Sequence, residues 1–510
     1  MRPGLTAAHA VGHSLGLLPG SFIGLVLALA VAGSATPALG APLALQPCRL
    51  DGLATEALCG VLPRPLDPGR PEAGRFDLHV AVVPAVARHK RPDPVVFLAG
   101  GPGQSAIELA GPLSAKLARL LNRRDLVLVD QRGTGSSLAL ACDGDRGNGA
   151  PRPLAVELDA EHRVAELARC REQLSARVGD LRWFTTPLAA ADLDAVREAL
   201  GVAQWNVIGA SYGTRLALEL MRQSPGSVRR AVLDGVVPPD MALPRAATLD
   251  QQAALDAVWA ACEAETACRQ RHPALRAQWR ALLDGLPRPV GVPHPRTGIV
   301  ETVPMTRERV LGLVRPALYS PPLASALPAA VSAAARGHWA PLVGLGSALG
   351  AGREAGIASG LHFAVACSED EGVAVPGGEP PRNDFSDSLD LMYRRVCRDW
   401  PRATLPAGFR DVPPAAAPVL ALSGGIDPVT PPRHAERVVG ALGPMARHVV
   451  VPQASHGTMA IPCLRDAVFR FIDAATPGQA MLVDVGCATS LPRPAAFVPP
   501  GDVGHLGSGR

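Results

Sequence analysis

The chain has 510 residues, of which 47% are hydrophobic and 19% charged, with 52 glycines and 51 prolines. That length exceeds one minimal domain, and the apolar share supports a substantial core and excludes global disorder. The net charge is only +4, the acids and arginines alternate, and no basic stripe with interleaved aromatics occurs, which argues against a nucleic-acid role. Lys90 and Lys116 are the only lysines beside an abundance of arginine, so the excess of Ala, Gly, Pro and Arg reads as a coding bias and not as low complexity.

The first element is "SFIGLVLALAVAG" at residues 21–33, apolar but too short to span a bilayer comfortably. Ala38-Leu39-Gly40 before Ala41 fits a small-x-small cleavage site, so residues 1–40 are expected to be an export signal; with Arg2 as the one firm charge, an uncleaved anchor is the alternative. All ten cysteines follow it: Cys48, Cys59, Cys142, Cys170, Cys262, Cys268, Cys367, Cys397, Cys463 and Cys487. An even count beyond an export signal implies an oxidising compartment, periplasmic or extracellular, and five neighbouring couples favour sequential pairing. No C-x-x-C or H-E-x-x-H is present, so neither a zinc site nor any other metal or cofactor is expected.

Short apolar runs predict strands near 76–83, 94–98, 125–129, 205–208, 230–233, 418–422 and 447–451, with helices at 187–200 and 212–223. Runs such as "VVFLAG" and "LVLVD" are apolar at successive positions, as in parallel strands buried on both faces. Alternation stops near Pro238. Residues 249–339 read as helices, and irregular Pro/Gly-rich pieces continue to about Pro414 before strands return. The expected plan is an α/β core at 41–238 and 415–491, interrupted by a helical insertion at 239–414. Residues 492–510, rich in Pro and Gly, are expected to be poorly ordered.

The chemistry is concentrated in "WNVIGASYGTRLALEL", residues 205–220. A G-x-S-x-G between a buried strand and a helix is the context of a nucleophile elbow, with Ser211 as nucleophile. Small residues are needed around the strained turn, and Gly209 and Gly213 supply them. A serine needs a base to take its proton and an acid to orient that base, in the chain order Ser, acid, His. Asp427 in "PVLALSGGIDPVTPP" and His456 in "RHVVVPQASHGTM" satisfy that order. Asp130 and Asp234 also follow strands and are rivals for the acid; His434, His448 and His362 fit less well as the base. "FLAGGPGQSA" offers bare backbone after an earlier strand, so the N–H groups of Gly101 and Tyr212 are the expected oxyanion donors.

These motifs together, "AGGPG" at 99–103, "DQRGTGSS" at 130–137, "GASYG" at 209–213, "GGIDPVTP" and "ASHG", resemble the secreted tripeptidyl aminopeptidase and proline iminopeptidase relatives among the α/β-hydrolases. The resemblance covers nearly all of the chain after the export segment and implies an α/β-hydrolase fold with the insertion as a cap. It implies Ser211, Asp427 and His456 as the triad and short peptides as substrates. Ala99 stands where proline iminopeptidases have His, which favours the tripeptidyl branch. An exopeptidase needs an anion for the substrate's α-ammonium, and Glu369 with Asp370 in "FAVACSEDEG" are the expected group. Arg132 is expected to pair locally. The expectation is an exported serine exopeptidase without a membrane span after cleavage. A carboxylesterase using the same triad and a non-catalytic hydrolase-fold binding protein are the alternatives.

Overall fold

The computed structural model describes residues 42–145, 150–353, 356–370, 372–373, 383–385 and 388–497. The expected export signal and cleavage site lie outside them.

The strands, in chain order, are β1 (Gln46–Cys48), β2 (Ala57–Pro65), β3 (Arg75–Val83), β4 (Val95–Leu98), β5 (Leu126–Val129), β6 (Trp205–Ala210), β7 (Val228–Asp234), β8 (Arg288–Pro293), β9 (Val300–Met305), β10 (Val419–Gly424) and β11 (Ala446–Val451). Nine of them form one sheet in the order β1-β2-β3-β5-β4-β6-β7-β10-β11. Pairing is antiparallel from β1 to β5 and parallel from β5 to β11. The parallel strands are covered on both faces, which is why their sequences run apolar without alternation. In β6, Val207 packs with Val96, Leu216 and Leu233 on one side, while Ile208 packs with Phe97, Val232 and Leu420 on the other.

All seven strands anticipated from apolar runs are present, and the helix Tyr212–Gln223 has the anticipated bounds. β1 and β2 were not anticipated, because Pro63, Arg64 and Pro65 break the apolar pattern; near a sheet edge such residues are tolerated. Between β7 and β10 the chain builds a second layer with its own core around Trp259, Trp279, Val303 and Leu311. That layer is not purely helical, since β8 and β9 form a separate antiparallel hairpin whose Pro289, Pro293 and Pro304 hid it. The stretch read as irregular contains the helices Ala340–Arg353, Ser359–Glu369 and Ser388–Cys397.

Residues 492–497 depart from the expected disorder. Arg493 donates to Ala257 O at 3.0 Å, Ala496 N–H to Glu265 Oε2 at 3.2 Å and Phe497 N–H to Ser325 O at 3.1 Å. Their proline-rich backbone is held by such bonds to the second layer, a support that composition does not reveal; residues 498–510 lie outside the described ones.

Five disulfides join Cys48–Cys59, Cys142–Cys170, Cys262–Cys268, Cys367–Cys397 and Cys463–Cys487, the sequential pairing. Among the described residues no helix is long and apolar enough to cross a membrane, and no group of His, Cys, Asp or Glu could hold a metal ion.

Candidate active site

β6 ends at Ala210, and the helix Tyr212–Gln223 starts two positions later, with one residue between them. Ser211 between them has φ 54° and ψ −123°, a conformation that costs a non-glycine residue about 1–3 kcal/mol and needs external enforcement. The enforcement is visible. Ser211 N–H donates to Asp234 O at 2.8 Å, and Ser211 O accepts from Thr214 N–H at 2.8 Å and Thr214 Oγ1 at 2.6 Å. The two motif glycines are steric requirements: a Cβ on Gly213 would lie 2.1 Å from Leu98 O, and one on Gly209 2.5 Å from Gly213 O. Ser211 itself keeps partial exposure while the helix behind it is buried.

Asp427 follows β10 and is 1% exposed. Its Oδ1 accepts from Val429 N–H at 2.8 Å and Thr430 N–H at 2.9 Å, and its Oδ2 from Thr430 Oγ1 at 2.7 Å and His456 Nδ1 at 2.8 Å. Burial pushes this carboxyl upward, but the adjacent imidazole and the Thr430 donors outweigh it and hold the pKa below the ordinary value. An ionised acid against Nδ1 selects the tautomer that carries its proton there and leaves the lone pair on Nε2. Tyr319 packs its ring against His456 edge-on, with centroids 5.5 Å apart.

The rivals have other work. Asp130 accepts from Ser105 Oγ at 2.5 Å, Ile107 N–H at 3.1 Å and Ser136 N–H at 3.1 Å, stitching two loops together. His434 pairs with Asp250 at 2.9 Å, and His448 with Ser423 at 3.0 Å. Asp234 plays a part that sequence reasoning missed. While its backbone oxygen holds Ser211, its carboxylate accepts from Thr458 N–H at 3.0 Å, Thr458 Oγ1 at 2.7 Å and Met459 N–H at 2.9 Å, just beyond His456. A Cβ on the next residue, Gly235, would meet Thr430 Oγ1 at 2.9 Å and His456 Cε1 at 3.2 Å. The end of β7 therefore ties the Ser211 turn to the loop bearing His456. Its one sequence signal was an Asp-Gly at a buried strand end.

The glycine loop lies against the turn: a Cβ on Gly100 would sit 3.3 Å from Ser211 Cβ. Gly101 has φ 112°, a conformation disfavoured for other residues. Tyr212 is the first residue of its helix, where backbone N–H groups lack intrahelical partners. The second layer holds the loop from outside, through Ala358 N–H to Gly103 O at 2.9 Å and a bridge between Gln104 and Ile357. His362 adds a third tie, because the Pro102 carbonyl accepts from its ring while Nε2 meets Tyr393 Oη at 2.6 Å. Burial pulls this imidazole down to about 4, so it stays neutral.

Glu369 and Asp370 require a correction. Glu369 is fully buried and accepts from Thr186 N–H at 2.7 Å, Thr186 Oγ1 at 2.8 Å and Arg215 Nη1 at 3.3 Å; Asp370 accepts from Arg215 Nη1 at 2.7 Å. Tyr212 Oη closes the network on Thr186 Oγ1 at 2.8 Å. Burying a carboxylate without partners is costly, and this pair has spent its acceptors inside the protein, on the helix that follows Ser211, instead of presenting them to an ammonium. Arg132 is likewise not local, since it forks onto Asp192 at 2.7 and 3.1 Å, sixty positions away.

Burial raises Glu369 from 4.5 to about 7, opposed by Arg215 and Thr186 and reinforced by Asp370. Between those values the folded chain holds a proton that the unfolded chain has released, so this group's contribution to stability falls as pH rises through the window. Tm from circular dichroism between about pH 5 and 8 is expected to decline less steeply in Glu369→Gln than in the unaltered protein. Equal slopes would show that Glu369 does not titrate there.

Residues 93–261 match the α/β hydrolase fold family, and residues 384–480 match the TAP-like protein family. The first match contains Ser211 and the glycine loop, the second Asp427 and His456. Serine protease Hip1 of Mycobacterium tuberculosis is 34% identical over 218 residues, 40% of this chain and 42% of that protein. Tripeptidyl aminopeptidase of Streptomyces coelicolor is 32% identical over 211 residues, 39% of each chain. The chain thus spans about two fifths of the length of these curated relatives. A solved proline iminopeptidase from Mycobacterium smegmatis is 18% identical, covering 83% of this chain and 99% of that one with a TM-score of 0.38.

Proposed function

Because the chain belongs to the α/β hydrolase fold family and carries a TAP-like segment near its C-terminal end, we propose that it is an exported serine exopeptidase that releases short peptides, tripeptides foremost, from free N-termini. Ser211 Oγ attacks the scissile carbonyl while His456 Nε2 takes its proton. The tetrahedral intermediate collapses as His456 returns that proton to the leaving amine, giving an acyl-enzyme that water hydrolyses by the same two proton transfers. Asp427 holds the imidazole in the productive tautomer and stabilises its charged form. The N–H groups of Tyr212 and Gly101 receive the oxyanion.

The observation that carries this reading is the 2.8 Å bond between His456 Nδ1 and Asp427 Oδ2, on loops that Asp234 connects to the strained Ser211 turn. Export is supported by the five disulfides, which persist in oxidising compartments. The peptidase assignment draws on the names of the relatives. One observation favours a second reading: with Glu369 and Asp370 engaged by Arg215, the anchor for an α-ammonium is unassigned, so a carboxylesterase using the same triad is the competing function.

Digestion of a peptide pool with free or acetylated N-termini, read by mass spectrometry, separates them. Fragments of one uniform short length, released only from free N-termini, are expected. Turnover of short acyl esters with every peptide left intact would establish the esterase instead. Absence of fluorophosphonate labelling in folded protein would point to a non-catalytic binding role.

A further inference from the structure

Deeply placed arginines in this protein generally meet a carboxylate. Arg124 pairs with Asp93 at 3.1 Å, Arg132 with Asp192 at 2.7 Å and Arg215 with Asp370 at 2.7 Å. Two arginines depart from that pattern: Arg230, whose guanidinium meets only the Arg229 carbonyl at 2.9 Å, and Arg315, part-buried in the helix Arg307–Leu318 of the second layer. The one hydrogen bond of Arg315 runs from Nε to Gln251 Oε1 at 3.0 Å, and among the described residues no carboxylate lies within ion-pair distance. The residue is part-buried, and Nη1 and Nη2 make no hydrogen bond to the described residues. Burial holds the guanidinium below its ordinary pKa with no acid to offset it.

Its position gives this uncompensated charge a meaning. Tyr319 stands four residues on, still in helical conformation at φ −69° and ψ −16°, so the two side chains share a face. Tyr319 is the residue whose ring packs 5.5 Å from that of His456. The other electrostatic neighbour of Arg315 is Tyr393, which bonds His362 at 2.6 Å and through it the Pro102 carbonyl of the glycine loop. Arg315 therefore stands between the residue against the proposed base and the residue that supports the proposed oxyanion loop. The nearby acids Glu369 and Asp370 are consumed by Arg215. The unpaired charge beside Tyr319 and Tyr393 is thus positive, opposite to what recognition of an ammonium alone would need.

We propose that Arg315 receives a carboxylate of the substrate, making the enzyme selective for peptides with an anionic group close to the scissile bond. A planar guanidinium with neither Nη group bonded by the described residues suits a carboxylate in the forked geometry. The carboxylate comes either from an acidic side chain or from the C-terminus of a very short peptide. This inference rests on the reading of Ser211 as an accessible nucleophile, and its test does not depend on amide hydrolysis.

The experiment measures how peptides slow fluorophosphonate labelling of Ser211 in the full chain. Ala-Ala-Glu-amide is compared with Ala-Ala-Gln-amide for the side-chain source, and Ala-Ala-Ala with its amide for the C-terminal source. At least one acid is expected to half-protect at a concentration about tenfold or more below its neutral partner. The acid-to-neutral ratio should collapse to about one in Arg315→Gln and recover in part in Arg315→Lys, since an ammonium keeps the charge but loses the fork. Equal protection by both members of both pairs in the unaltered protein would overturn the proposal, as would a preference that survives in Arg315→Gln. The comparison in the unaltered protein stands even if a variant fails to fold. Charge-selective protection without any peptide cleavage would remove the peptidase reading and leave the carboxylate site. Peptide cleavage without charge selectivity would do the reverse.

Discussion

Ser211→Ala is expected to lower kcat on peptidyl arylamides by about 10⁴- to 10⁶-fold and to abolish fluorophosphonate labelling. The substitution removes one atom, the Oγ that the proposed chemistry needs. It leaves the bonds that make the turn, Ser211 N–H to Asp234 O and Thr214 to Ser211 O, because these use the backbone. Folding should therefore persist, and a melting curve close to that of the unaltered protein separates lost chemistry from lost structure. What activity remains reflects oxyanion stabilisation and binding alone, which on other serine hydrolases still exceed the water reaction by about 10³–10⁴. Labelling that survived in Ser211→Ala would place the nucleophile elsewhere.

Asp427→Asn is expected to cost about 10⁴-fold in kcat at neutral pH. Three of the four donors around this carboxylate come from the segment just after it: Val429 N–H, Thr430 N–H and Thr430 Oγ1. The two N–H groups demand an oxygen at the Oδ1 position, so the introduced amide nitrogen would be forced toward Thr430 Oγ1 and His456 Nδ1. A donor facing Nδ1 drives the ring proton to Nε2, where the proposed base needs a lone pair. Rotating the amide would instead set two donors against its nitrogen and leave them unsatisfied. Steady-state kinetics on the purified variant, with circular dichroism as the folding control, decides the matter. A loss of less than about tenfold would shift the acid's role away from Asp427.

Much of the candidate site's layout could be read before the fold was known, and the legible part has a common character. The elbow is a local steric device, since Gly209 and Gly213 are needed for contacts within a few residues or with the neighbouring strand. The disulfides close short loops, at most 30 residues apart, so neighbouring cysteines were a sound guide. The buried strands announced themselves because a parallel strand covered on both faces has no polar side to interrupt it. Asp427 and His456 could be placed because each follows a recognisable late strand.

What stayed hidden depended on partners distant in sequence. Glu369 and Asp370 looked like acids awaiting a ligand until folding brought Arg215 and Thr186, more than 150 positions earlier, against them. Asp234 looked like a rival acid until the loop after His456 closed on its carboxylate. Arg315 is unremarkable in a chain so rich in arginine, and only its place beside Tyr319 and Tyr393, with no acid paired to it among the described residues, sets it apart. The sequence by itself determined the buried strands of the sheet, the strand–Ser211–helix turn and the chain order of the proposed triad, because these follow from short-range sterics and from the apolar pattern of buried strands. The tertiary structure alone decided which charges are neutralised, because the Coulomb energy of a buried group depends on what lies within a few ångströms of it, and that is set by packing and not by spacing along the chain.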